Sequence, residues 1–306
     1  MTSLFAQLAL IGPTASGKSA LALEIARRYN GVILSLDSLA VYRYTDIVSA
    51  KPTLQERGDI PHYGIDILDP DEHFDVTLFA EVYRNVYAKA KQQQRLLIIV
   101  GGTSFYLKAL MEGMSPKPDI SPEIKQTVRR QCRDLADAYA KLEKIDPLYA
   151  GRITPADRYR IEKAWEIYLA THMPPTAYFQ AHPPTPVIKA PLPIYEIVRP
   201  RDELRQRIRL RTEMMLASGL IDEVAALERR YTRAPHCMKA IGIRETLAYL
   251  DGRYDKATLL EKIAVNTGRL AKRQETFNRT QFHHVIRGEI DTLRQKLADA
   301  SHIFSS

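Results

Sequence analysis

The segment Gly12-Pro13-Thr14-Ala15-Ser16-Gly17-Lys18-Ser19 fits the pattern GxxxxGK[ST] completely, and no other stretch constrains the fold as much. It follows the short apolar run Leu8-Ala9-Leu10-Ile11. After it comes ALALEIARRY, with Leu21, Ile25 and Tyr29 at helical spacing. A strand, a glycine-rich turn and a helix in that order make a phosphate cradle. The glycines let successive backbone N–H groups converge on an anion, and the helix N-terminus adds partial positive charge. Lys18 is expected to reach bridging phosphate oxygens, and Ser19 to hold a Mg2+ ion. The loop recognises polyphosphate shape, so ATP and an organic diphosphate are both admissible.

Two further apolar runs read as buried strands. Gly31-Val32-Ile33-Leu34-Ser35-Leu36 stops at Asp37, and Leu96-Leu97-Ile98-Ile99-Val100 stops at Gly101-Gly102-Thr103. YEIVRP, from Tyr195, reads as another. Strands alternating with helices predict an α/β fold with a doubly wound parallel sheet. Ligands of such sheets bind at the carboxyl ends of the strands, so Gly12, Asp37 and Gly101 to Thr103 should gather on one edge. Beside bound phosphates, Asp37 could hold Mg2+ or accept a proton from an acceptor nucleophile. The plain alternative is a strand-end turn residue. Gly101-Gly102-Thr103 would offer a hydroxyl and two unshielded amides at the same edge, or be a simple Gly-Gly turn.

From about Met114 the texture changes. Ser121-Pro122-Glu123 is a helix start, with Ser as N-cap and Pro at the first helical position. Ile124, Val128, Cys132, Leu135, Tyr139 and Leu142 recur every three or four residues, which predicts one amphipathic helix. A second helix is expected near Asp157 to Ala170. Pro174 to Pro193 holds seven of the chain's 18 prolines, which predicts an extended connector. Residues 115–193 therefore read as a mostly helical insertion, and 1–114 with 194–306 as the P-loop core with a helical C-terminal part.

Lys and Arg total 44 against 36 Asp and Glu, a formal net charge of +8. The excess is concentrated between Lys262 and Arg287, where six Lys/Arg face the single acid Glu275. Such a stretch can track a phosphate backbone or form a solvated helix face. Cys132 and Cys237 are the only cysteines and sit in no CxxC or Cys/His cluster. That excludes a disulfide scaffold or zinc knuckle and fits a reducing cytoplasm. No apolar run approaches the ~18 residues that cross a bilayer. The start, MTSLFAQLALIG, lacks a basic n-region and a small-residue cleavage site, so no signal peptide is expected.

Taken together, the motifs resemble the tRNA dimethylallyltransferases, also called tRNA isopentenyltransferases. The likeness covers most of the chain. It runs through GPTASGKS (12–19), DSLAVYR (37–43), Ala50-Lys51-Pro52-Thr53 and GGTSFYLKALMEG (101–113). It continues through DPLYAGRITPADRYRIEKAWEIY (146–168), RTEMMLASGLIDEV (211–224), KAIGIRE (239–245) and LAKRQETFNR (270–279). The resemblance implies transfer of the dimethylallyl group of dimethylallyl diphosphate to the N6 amine of an adenosine. That adenosine lies just 3′ of the anticodon in tRNAs reading codons that begin with U. The P-loop would then hold the donor's diphosphate with Mg2+, and no ATP would be hydrolysed.

Family roles carry over by position. Asp37 matches the acid that takes the amine proton, Thr103 and Arg211 match groups stabilising the diphosphate, and Lys18 with Ser19 completes the clamp. Contacts with the tRNA anticodon stem-loop are expected at Asp37, Ser38, Leu39, Ala40, Thr103, Lys125, Arg160, Lys272 and Arg273. A cytoplasmic monomer with no membrane partner is expected. The chain departs from the family pattern at Ala40, Ser104, Gly268 and Phe277, while the donor-side residues are intact.

Overall fold

The computed structural model describes residues 6–299. Its first elements are β1 (Gln7–Ile11), α1 (Lys18–Arg28), β2 (Gly31–Leu36), α2 (Leu54–Arg57), β3 (His62–Tyr63), α3 (Val76–Gln92), β4 (Leu96–Gly101) and α4 (Ser104–Glu112). Next come α5 (Pro122–Gln131), α6 (Leu135–Ile145), α7 (Pro147–Ala150), α8 (Arg158–Thr171) and α9 (Pro175–Ala181). The chain closes with β5 (Ile194–Ile197), α10 (Arg201–Ala217), α11 (Leu220–Tyr231), α12 (Ile243–Leu250), α13 (Lys256–Gln281), β6 (Val285–Gly288) and α14 (Ile290–Asp299). A 3-10 turn at His236–Lys239 precedes α12. None of the described helices is long and apolar enough to cross a membrane.

The six strands form one parallel sheet in the order β3-β2-β4-β1-β5-β6. Helices cover both faces, so β1 and β2 are buried along their whole lengths and read as unbroken apolar runs rather than alternating ones. The register sets the site. Gly101 pairs with Ile11 on one side and Leu36 on the other, so β1, β2 and β4 end at one level. Gly12, Asp37 and Gly102 therefore leave the sheet side by side. Position 101 tolerates only glycine, because a Cβ there would lie 2.0 Å from the Leu36 carbonyl oxygen.

The chain divides into two compact units, Leu110–Val187 and the remainder on either side of it. In the smaller unit Val128, Cys132, Ala138, Leu142, Ile161, Ala164 and Trp165 form the core. The single amphipathic helix expected from Pro122 through Leu142 is two helices, α5 and α6. Asp134 caps α6 by accepting from the Asp137 N–H at 3.1 Å, and the Arg158 guanidinium takes the Cys132 carbonyl at 2.6 Å. Both ends of the break are satisfied, and the apolar spacing runs through it unchanged. The proline-rich stretch from 174 to 193 is likewise not wholly extended. It contains α9, whose Pro175 occupies the first helical turn, where a missing N–H costs nothing.

Candidate active site

Each part of the P-loop is held by a specific contact. A Cβ on Gly12 would lie 2.7 Å from the Ile197 carbonyl oxygen, so the loop passes too close to β5 for any side chain. Gly17, at φ +98°, opens α1 in a left-handed conformation with no side-chain cap. The first-turn N–H groups of α1 are thus left to an anion. Ala15 also lies in the left-handed region, at φ +62°, a strain of about 1 kcal/mol for a residue with a Cβ. Its carbonyl accepts from Arg207 Nε at 2.8 Å, and the next carbonyl, of Ser16, accepts from Arg199 Nε at 2.7 Å.

Lys18 is buried, 9% exposed, and donates to the Pro13 carbonyl at 2.6 Å. Burial and the neighbouring Arg211 push its amine down to about 7, against the opposing pull of the Asp37 carboxylate. Arg211 reaches in from α10, with Nη1 3.3 Å from Thr14 Oγ1 and Nη2 3.5 Å from the Ser49 carbonyl oxygen. Burial pushes its pKa down too, and Asp37 again opposes the shift. Two desolvated cations therefore face one carboxylate, an excess of positive charge suited to a polyanion.

Asp37 is fixed by its own turn. Oδ1 accepts from the backbone N–H groups of Leu39 at 2.8 Å and Ala40 at 3.2 Å, while Oδ2 has no partner among the described residues. The Thr103 N–H donates to the Leu36 carbonyl at 3.1 Å, and its Oγ1 accepts from the Ser38 N–H at 3.2 Å. That leaves the hydroxyl hydrogen free to donate elsewhere. Gln274, on α13, joins the two halves of the site. Its Oε1 accepts from the Thr14 N–H at 2.9 Å, and its Nε2 donates to the Gly102 carbonyl at 3.0 Å.

Two adjoining cavities, of about 400 and 430 Å³, share Thr14, Asp37, Arg211 and Gln274 in their walls. The first holds Lys18, Ser19, Ala40 and Arg207, with the apolar Leu210 and Met214 at its side. The second holds Ser38, Leu39, Thr103, Phe105, Arg273 and Phe277. Asp37 therefore faces a cationic cleft and a partly aromatic one at once. Lys51 also lines the first cleft, but it donates to the Tyr42 carbonyl, Asp46 and Asp66 at 2.6–2.8 Å, so it braces the loop from Tyr42 to Asp66. Ser104, where the family pattern has glycine, lines the second cavity. It is 3% exposed, and its hydroxyl has no partner among the described residues.

The structure thus brings the P-loop residues, Asp37, Ser38, Leu39, Ala40, Thr103, Arg211 and Arg273 into one site. Ala40 is buried against the first cleft and gives its N–H to Asp37. Lys272 is exposed on α13 but lines neither cavity. Lys125 on α5 and Arg160 on α8 lie in the smaller unit, both exposed, Arg160 with Asp157 at 3.3 Å. Sequence reasoning missed Arg199, Arg207 and Gln274. The i, i+4 spacing of Arg207 and Arg211 was the available signal for one of them. No group of three or more His, Cys, Asp or Glu able to hold a metal occurs among the described residues.

A family model described as IPP transferase matches residues 40–281. The tRNA dimethylallyltransferase of Sulfurovum sp. is 55% identical over 291 residues, which span 95% of this chain and 97% of that protein. The tRNA dimethylallyltransferase of Wolinella succinogenes is 47% identical over 290 residues, 94% and 96% of the two chains. Among solved structures, the full-length tRNA isopentenylpyrophosphate transferase of Bacillus halodurans superposes with a TM-score of 0.72 at 29% identity, covering 98% of this chain and 97% of that one. A eukaryotic dimethylallyltransferase, seen in crystallographic snapshots acting on tRNA, gives a TM-score of 0.82 at 25% identity, over 97% of this chain and 77% of that one. A model matched over most of the length and relatives alike from end to end make this chain a member of the IPP transferase family.

Proposed function

We propose that this chain transfers the dimethylallyl group of dimethylallyl diphosphate to the N6 amine of an adenosine in tRNA. The family resemblance supplies the acceptor, the adenosine immediately 3′ of the anticodon in tRNAs reading codons that begin with U. The observation that carries the reading is the position of Asp37, common to a cationic cleft lined by Lys18 and Arg211 and a second cavity lined by Phe105 and Phe277. Phe105 is 53% exposed, a face on which an unstacked base can lie.

The adenine amine is a weak nucleophile, because its lone pair is delocalised into the ring. In the reaction N6 attacks C1 of the dimethylallyl group and the C1–O bond breaks. The bonding pair leaves on diphosphate, and the N6 proton passes to Asp37 Oδ2. The backbone turn that occupies Oδ1 presents Oδ2 without reorganisation. Lys18, Arg211 and the open N-terminus of α1 offset the charge that grows on the diphosphate. Thr103, with its hydroxyl hydrogen free, is placed to donate to a substrate oxygen.

The residues present fit Mg2+ through one hard oxygen donor, the Ser19 hydroxyl, which is exposed in the cleft beside Lys18. Ser19 would hold it, and when bound the ion supplies further neutralisation of the leaving group. The smaller unit, with Lys125 and Arg160, is assigned to the anticodon loop, together with Lys272 and Arg273 of α13. A reducing, cytoplasmic setting accords with two free, buried cysteines, and the chain is proposed to act as a monomer. The test is incubation with labelled dimethylallyl diphosphate and total tRNA, followed by nucleoside analysis. Label in a prenylated adenosine is expected. Label left on the diphosphate, or ATP outcompeting the prenyl donor, would refute the proposal.

A further inference from the structure

The arginines around α10 differ in what they face. Arg199 pairs with Glu203, Arg205 with Asp202 at 3.3 Å, and Arg209 with Glu213 at 3.2 Å and also with Glu261. Arg207 lies within 4.0 Å of no carboxylate among the described residues, and it lines the cationic cleft with Lys18 and Arg211. Only its Nε is engaged, at 2.8 Å from the Ala15 carbonyl oxygen. Its Nη2 lies 3.7 Å from where a Cβ on Gly17 would stand, so the head group rests against the loop just before the open start of α1. A guanidinium anchored through Nε still presents two Nη groups as a fork, and one uncompensated by a carboxylate keeps its full charge for a ligand.

Resting on the diphosphate reading above, we propose that Arg207 is a second arginine of the clamp. Its Nη groups engage the phosphate farther from the prenyl carbon, while Lys18 and Arg211 take the bridging region. The Nε contact with Ala15 has a separate purpose, holding the strained left-handed residue that shapes the loop. Arg207 thus neutralises charge that a single phosphate would not bring to it.

Calorimetric titration of the full chain in Mg2+ with inorganic pyrophosphate and with inorganic phosphate tests this. R207Q is expected to bind pyrophosphate roughly 10- to 100-fold more weakly, the loss of a charge-assisted hydrogen bond, and to bind phosphate within about threefold of wild type. R207K should recover part of the loss. R205Q, which removes an arginine already paired with Asp202 and remote from the cleft lining, should bind both anions like wild type. Thermal unfolding of each variant separates lost binding from lost folding. Unchanged pyrophosphate affinity in R207Q, or equal losses for both anions, would overturn the proposal, the second by reducing Arg207 to a brace for the loop. Wild type that binds no pyrophosphate would overturn the diphosphate reading itself.

Discussion

Lys18 gives the donor site a pH signature that can be worked out in advance. In the free protein its amine sits at about 7, well under the ordinary 10.5, because it is buried and close to Arg211. A diphosphate beside it reverses the balance, since two or more negative charges favour the ammonium form. The bound-state pKa is therefore raised above the free-state one, and binding takes up a proton wherever the free amine is neutral. At pH 6 roughly nine-tenths of the free amines are already charged, so uptake by Lys18 is small. At pH 8 roughly a tenth are charged, and uptake approaches one proton. Affinity for diphosphate should then fall by up to about tenfold per unit above pH 7, until the bound-state pKa is reached. Calorimetry with pyrophosphate in buffers of different ionisation enthalpy reads this uptake directly. Lys18→Met is the reference, because it keeps the volume and subtracts the protonation of the ligand itself. The same proton uptake at pH 8 in wild type and in Lys18→Met would show that Lys18 is not the group that takes up the proton.

Other consequences follow from the same contacts. Gln274→Ala removes the tie between Thr14 and Gly102, and kcat/KM for the prenyl donor should fall about tenfold, one or two buried hydrogen bonds' worth. Gly102→Ala would place a Cβ 2.3 Å from Gln274 Nε2 and swing that side chain away, so the double variant should be little worse than either single one. Replacing Lys272 and Arg273 with Ala should weaken binding of all tRNAs and lower the slope of log affinity against log salt by about one per lost phosphate contact. Unchanged slopes would make that stretch of α13 a solvated face.

The catalytic edge was legible because its signals are local. Apolar runs of four to six residues stopping at Gly12, Asp37 and Gly101 are what a doubly covered parallel sheet requires, and their common level follows from the sheet's register. Ser121 announced a helix start for the same reason, since a cap acts on amides two or three residues away, and the helix expected near Asp157 proves to be capped by Asp157 in the same way. The break between α5 and α6 was hidden because apolar spacing continues through Cys132 and Leu135. It is stabilised in part by Arg158, far along the chain. β6 escaped notice as a four-residue edge strand, only partly buried, with none of the apolar length of β4. The contacts of Gln274 and Arg207 span 260 and 192 residues, so only the i, i+4 spacing of Arg207 with Arg211 hinted at either role. Of the four departures from the family pattern, Ala40, Ser104 and Phe277 acquired surroundings only in three dimensions. Ala40 is packed against the donor cleft, Phe277 lines the second cavity, and Ser104 beside it carries a hydroxyl with no partner among the described residues.

Asp37, shared by both cavities, is proposed to accept the N6 proton as the prenyl group arrives. The single-turnover rate of Asp37→Asn with prenyl donor and tRNA both at saturation tests that role most directly. Asparagine keeps the turn, since its amide oxygen can still accept from Leu39 and Ala40, but it removes the base. Affinities for tRNA and pyrophosphate should stay within about twofold of wild type, while the rate of transfer should fall by on the order of 10²–10⁴. A variant that transfers the group at near the wild-type rate would contradict that role.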